Sequence, residues 1–141
     1  MILDADILSY ALYDKHIAHE YCWKMIKDGI QGKFDVYLTH TTILEAYNVL
    51  FWHYKVRPRM KLLKKIKLVA ENLKIVPPSI RGIEIALEEN IPLGDGILIA
   101  TAVDNRIPII VSNDADIIKV APKYGIFVNN PIPKEIREKM K

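Results

Sequence analysis

The chain has 141 residues, 50% hydrophobic and 26% charged, and 20 Lys and Arg against 17 Asp and Glu give a formal charge of +3. That length suits one domain, spanning 1–141, with one real core, and the composition excludes a disordered tail, a collagenous repeat or a mucin-like stalk. One cysteine, Cys22, and the lack of any CxxC exclude a disulfide scaffold and a zinc ribbon.

Ile2-Leu3 opens the first strand, and the chain turns helical through Ile7, Leu8, Ala11 and Leu12. A helix over about 15–30 carries Ile17, Tyr21 and Met25 on one stripe and stops near Gly29 and Gly32. Val36-Tyr37-Leu38 reads as the second strand, and a helix from near Thr41 carries Ile43, Leu44, Tyr47, Leu50, Phe51 and Tyr54. Pro58 suits the first turn of the next helix, whose apolar residues Leu62, Leu63, Ile66, Val69, Ala70 and Leu73 keep a helical period. Ile75-Val76 is a brief strand ended by Pro77-Pro78; Ile80 to Glu89 is amphipathic helix, and a further helix covers about 95–104. Ile107 to Val111 is a strand without charge, Ile126-Phe127-Val128 is the last strand, and Pro131 to Lys141 is a polar helix or tail. Short apolar runs alternating with longer amphipathic ones predict an α/β fold with a parallel sheet.

In open parallel sheets, sites form beyond the carboxyl ends of the strands. Asp4 and Asp6 stand there after the first strand, and Ser112-Asn113-Asp114-Ala115-Asp116 after the 107–111 strand. Two helix starts add Glu45 and Asp95. Each acid has a structural alternative: Glu45 completes a capping box with Thr42, Asp95 is an N-cap or first-turn acid, and Asp114 caps the helix that follows it. Asp4 is hardest to explain so, because a carboxylate ending a central strand costs desolvation without structural return. Together, such acids repel unless a cation joins them or some protonate. Hard divalent ions take oxygen ligands, and the chemistry that suits the group is metal-assisted phosphoryl transfer.

MILDADIL, TTILEAYNVL, IPLGDGILIATAV and IPIIVSNDADI, in that order, resemble the PIN domain, in particular the VapC-type toxin ribonucleases. The resemblance implies a three-layer α/β/α sandwich with a central parallel sheet of four or five strands, and Mg²⁺- or Mn²⁺-dependent nuclease activity on RNA. It places the family's acids on Asp4, Glu45, Asp95 and Asp114 as catalytic residues and metal ligands. Asp6, Ser112 and Asp116 become supports that orient them. It further implies a homodimer and an antitoxin partner that lies over helices near the site. Two positions depart from the family pattern: Asp6 replaces a small polar residue and adds negative charge, and Ile117 replaces an aromatic. A non-catalytic PIN scaffold that binds RNA or protein is the rival class.

Asp4-Ala5-Asp6 also resembles the DxD of haloacid-dehalogenase-type phosphatases, with Asp4 as nucleophile and Asp6 as general acid. Ser112 then falls after Gly94-Asp95, where that family has its Ser/Thr motif before the late acids. His16 and His19 read as solvent-facing helix residues with no third zinc ligand near them, and His40 stands before the Glu45 helix. Gly94-Asp95-Gly96 is too short for a dinucleotide fingerprint, and Gly96 reads as permitting close approach to the crevice or the sheet. Cys22 reads as part of a buried helix stripe.

From Lys55 to Lys67 seven cations stand without an acid, Lys55, Arg57, Arg59, Lys61, Lys64, Lys65 and Lys67. Mixed signs are what a merely soluble helix uses, and a polyanion relieves the repulsion. Lys61, Lys64 and Lys65 are therefore RNA-binding candidates, through phosphate contacts that are salt-dependent. Residues 46–70 carry +7 and leave −4 for the rest, so a basic arm is expected beside an acidic pocket. No apolar run reaches the ~20 residues of a membrane helix, and the N-terminus lacks a basic start and a cleavage site. A cytoplasmic protein with no membrane association is expected.

Overall fold

Five short strands, β1 (Ile2–Leu3), β2 (Tyr37–Thr39), β3 (Lys74–Val76), β4 (Ile109–Val111) and β5 (Phe127–Asn129), pair in parallel in the order β3-β2-β1-β4-β5. The computed structural model describes residues 1–141. Side chains alternate across a strand, and the register makes that alternation common to the sheet. Ile2 lies beside Ile110 and Leu3 beside Val111. Leu3, Leu38 and Val111 enter one core, while Ile2 and Ile110 enter the other.

The first core holds α1 (Ala5–Leu12), α2 (His19–Ile30), α3 (His40–Asn48) with its π-helical continuation Val49–His53, and α4 (Arg59–Asn72). Ile136 of the C-terminal helix α8 (Lys134–Lys139) packs on the same side. The second core holds α5 (Gly82–Glu89), α6 (Leu93–Asp104) and α7 (Ala115–Val120), through Ile85, Leu98, Ile99 and Ile117. The result is the expected three-layer α/β/α sandwich. Strands β1 to β3 grow the sheet one way, and β4 and β5 grow it the other. The reversal between β1 and β4 opens the crevice in which α/β proteins place their sites.

Local expectations are corrected at four places. Helix α2 starts at His19, not near 15, and buries Cys22 and Ile26, whereas Ile17 is 44% exposed; the inward stripe is thus one residue off the predicted one. His16 lies in the turn before α2, its ring stacked 4.1 Å from that of Tyr10, and its Nδ1 accepts from the Ala18 N–H. His19 Nδ1 sits 3.1 Å from the Tyr10 carbonyl, so neither histidine is simply solvent-facing. Helix α3 begins at His40, which puts Thr42 inside it and leaves no capping box for Glu45.

Gly96 faces neither crevice nor sheet. A Cβ there would meet the Gly82 carbonyl at 2.3 Å, and one at Gly82 would meet the Ile97 Cα at 2.2 Å. The two glycines let the backbones of α5 and α6 touch, closer than any side chain allows.

Candidate metal centre

Asp4 follows β1 directly and is the N-cap of α1. Its N–H continues the sheet by donating to the Val111 carbonyl at 2.9 Å. Its carboxylate accepts from the Ala5 N–H at Oδ1 and from the Ser112 hydroxyl at Oδ2, both at 2.7 Å. Ser112, fully buried, accepts in turn from the Asp114 N–H at 2.9 Å. Contrary to the expectation of burial without return, Asp4 caps a helix and ties β1 to the loop after β4.

Asp114 does cap α7. Its Oδ1 accepts from the Asp116 N–H at 2.8 Å and the Ile117 N–H at 3.2 Å, which leaves Oδ2 outside that cap. Asp6 uses both oxygens, Oδ1 for the Ile7 N–H and Oδ2 for the Asn113 N–H. It latches α1 to the 112–116 loop, a positioning task consistent with a support.

Asp95 is the third residue of α6, whose N-cap is Pro92, so it is not a cap. It is buried, and its Oδ2 has no hydrogen-bond partner. Glu45 arrives from α3 across Gly94: a Cβ on Gly94 would stand 2.6 Å from Glu45 Oε1. That glycine is what lets the two acidic helices meet.

One carboxylate oxygen from each of Asp95, Asp114 and Asp116 lies within 4.8 Å of the others. The electrostatics widen the group. Burial lifts Asp95 from 3.8 to about 7, helped by the charges of Asp114, Asp4, Asp116 and Glu45. Burial also raises Asp4, against the pull of its bonds to Ser112 and Ala5, and the Asp114 charge adds to the rise. Asp6 is raised well above the ordinary carboxyl range by burial and by Asp4, and Glu45 is raised by burial and by Asp4.

All four acids taken as ligands from the sequence therefore meet at the β1/β4 crevice. Asp116, expected only as a support, brings its carboxylate into the closest trio. Its signal was the two-residue spacing from a capping Asp114, which points both carboxylates off one helix start. An oxygen-only donor set with a buried, unpartnered Oδ2 fits Mg²⁺ or Mn²⁺. His40 is exposed at the start of α3.

The basic segment is less free than its composition implies. Arg57 donates to the Phe51 carbonyl and stacks 3.5 Å from the Phe51 ring centroid. Arg59 donates to the Tyr47 hydroxyl at 3.0 Å, and Lys67 pairs with Glu71 at 3.5 Å. Lys61 and Lys65 line a pocket of about 350 Å³ with Lys15, Lys55 and Arg57; Lys64 is exposed outside it. That pocket opens at the Leu12 end of α1, a helix length of about 12 Å from Asp4. The lysine pocket and Asp4 therefore stand at opposite ends of α1, whereas Arg59 reaches Tyr47 on the helix that carries Glu45.

A family model described as PIN domain matches residues 1–123. Among solved structures, PAE2754 from Pyrobaculum aerophilum is 20% identical with a TM-score of 0.62, covering 90% of this chain and 81% of its own. A chain of FitAB bound to the IR36 DNA fragment is 19% identical with a TM-score of 0.64, covering 92% of this chain and 94% of its own. At these identities the likeness is one of fold. No curated protein matches the chain. No helix is long and apolar enough to cross a membrane. The phosphatase reading falls with the family match, and both oxygens of Asp6 are already engaged.

Proposed function

The chain belongs to the PIN-domain family, and on that premise we propose that it is a Mg²⁺- or Mn²⁺-dependent endoribonuclease, the toxin of a toxin–antitoxin pair acting in the cytoplasm. The observation that carries this reading is the trio Asp95, Asp114 and Asp116 within 4.8 Å, pressed by Asp4 and Glu45 on a buried Asp95.

Asp4, Asp95, Asp114 and Asp116 would hold the ion, with Glu45 binding directly or through water. When bound, the ion lowers the pKa of a water and offsets charge on the scissile phosphate. The chain's own residues set the geometry. Ser112 fixes the Asp4 carboxylate, the first N–H groups of α7 fix Asp114, and Asp6 holds the loop that carries it. Glu45 reaches the crevice from α3 beside Gly94, where its carboxylate would help orient the attacking water. Lys61 and Lys65 in their pocket, with Lys64 beside it, supply phosphate contacts further along the strand. The homodimer and the antitoxin belong to the same proposal. An exposed stripe of Ile80, Ile83 and Leu87 at α5 supports a surface that another chain covers.

The test is cleavage of a labelled single-stranded RNA with Mn²⁺. Asp4→Asn and Asp114→Asn are expected to lose at least about a hundredfold, and wild-type rates in both would overturn the assignment. Mn²⁺ soaked into crystals separates the nuclease from a non-catalytic module, since an empty, salt-bridged crevice supports the module. Sizing of the same wild-type protein reads the dimer.

A further inference from the structure

The family match ends at residue 123, yet the chain beyond it is built onto the crevice. Ile132 is buried, and Ile136 packs against the first core. Asn130 donates from Nδ2 to the Asn113 Oδ1 at 2.8 Å, and its own Oδ1 accepts from the Ile132 N–H. Asn113 sits between Ser112 and Asp114, and its N–H is the one that Asp6 holds. The C-terminal segment is thus fastened to the loop that carries the acids.

Between that segment and the loop lies a cavity of about 460 Å³, lined by Tyr10, Asn113, Ala115, Lys134, Arg137 and Glu138 among others. Asn113 and Ala115 are the residues on either side of Asp114, so this cavity and the acid crevice share a wall. Arg137 carries a buried Nε with no acceptor. Arg137 as a whole is only half-buried and lines the cavity, so the rest of its guanidinium is within reach of a ligand there, and that fork matches a phosphate better than any other side chain does.

We propose that this cavity is a subsite for an RNA backbone phosphate adjacent to the one being cut, anchored by Arg137 with Lys134 beside it. It rests on the nuclease reading and adds to it a residue set outside the family match. Arg137 binds and positions here; it does not touch the bond that breaks. Lys134, Arg137 and Lys141 outnumber Glu138 in the lining, so the cavity favours an anion.

The experiment is anisotropy of a fluorescein-labelled single-stranded RNA in EDTA over a salt series, with Mn²⁺-dependent cleavage kinetics on the same preparations. Arg137→Gln is expected to bind about tenfold more weakly, with the salt slope shallower by about 0.7. Its KM rises by the same factor while kcat stays within about twofold. Arg137→Lys recovers the slope but not the full affinity, and Lys134→Gln, an exposed change that leaves packing alone, also flattens the slope. A folded Arg137→Gln protein with wild-type affinity, slope and KM overturns the subsite while leaving the nuclease standing. If wild type neither binds nor cuts RNA, the nuclease reading fails and the subsite falls with it.

Discussion

Asp95→Asn separates what the acid cluster costs the fold from what it gives the site. Asp95 has a folded-state pKa of about 7 against an ordinary 3.8. A carboxyl whose folded pKa is raised holds its proton longer when folded than when unfolded, so the folded state loses stability as pH rises from about 4 to about 7. Each unit of displacement is worth about 1.4 kcal/mol, which sets the loss above pH 7 at about 4 kcal/mol at most. An asparagine cannot ionise and escapes that loss. In EDTA, urea unfolding at pH 8 is expected to find Asp95→Asn more stable than wild type by about 2–4 kcal/mol, with the difference shrinking toward zero near pH 4. Mn²⁺ should reverse the order, because wild type gains RT ln(1 + [L]/Kd) from an ion that the variant binds poorly. A stability difference that is the same at pH 4 and pH 8 would refute the account, since it would show that Asp95 is not held against its charge.

Two neighbouring glycines should behave oppositely. Gly96→Ala drives a Cβ into the Gly82 backbone and should lower stability by about 3 kcal/mol or more in urea unfolding. Gly94→Ala meets only the movable end of Glu45, so stability should stay within about 1 kcal/mol while Mn²⁺ affinity falls. Equal stability losses would contradict this. Neutralising Lys61, Lys64 and Lys65 together to glutamine should make the salt slope of RNA binding shallower by about 2. An unchanged slope assigns those lysines to a plain solvated surface.

The sequence by itself determined the layers and the addresses of the acids. Short runs such as Ile109–Val111 between amphipathic helices leave little choice but a parallel sheet covered on both faces. Asp4 and Asp114 stand where such strands must end. Helix phase was less legible. The stripe of α2 slipped by one residue because Ile17, Tyr21 and Met25 are as regularly spaced as the residues that are buried, Cys22 and Ile26, and periodicity alone does not say which face meets the sheet. Thr42 and Glu45 have the spacing of a capping box, but only the strand β2 before them fixes where α3 begins.

Tertiary structure alone decided what lies far apart in sequence. It brought Asp95 to Asp114 and Asp116, set Glu45 of α3 against Gly94 of α6, and tied Asp4 to Ser112 and Asn130 to Asn113. None of these pairs is encoded by local spacing. The tie from Asp4 to Ser112 depends on the strand order β3-β2-β1-β4-β5, in which β1 and β4 become neighbours although about a hundred residues separate them. Propensity and pattern act over a helix turn or a strand, whereas a site is assembled by packing, and packing is settled only when the whole core closes.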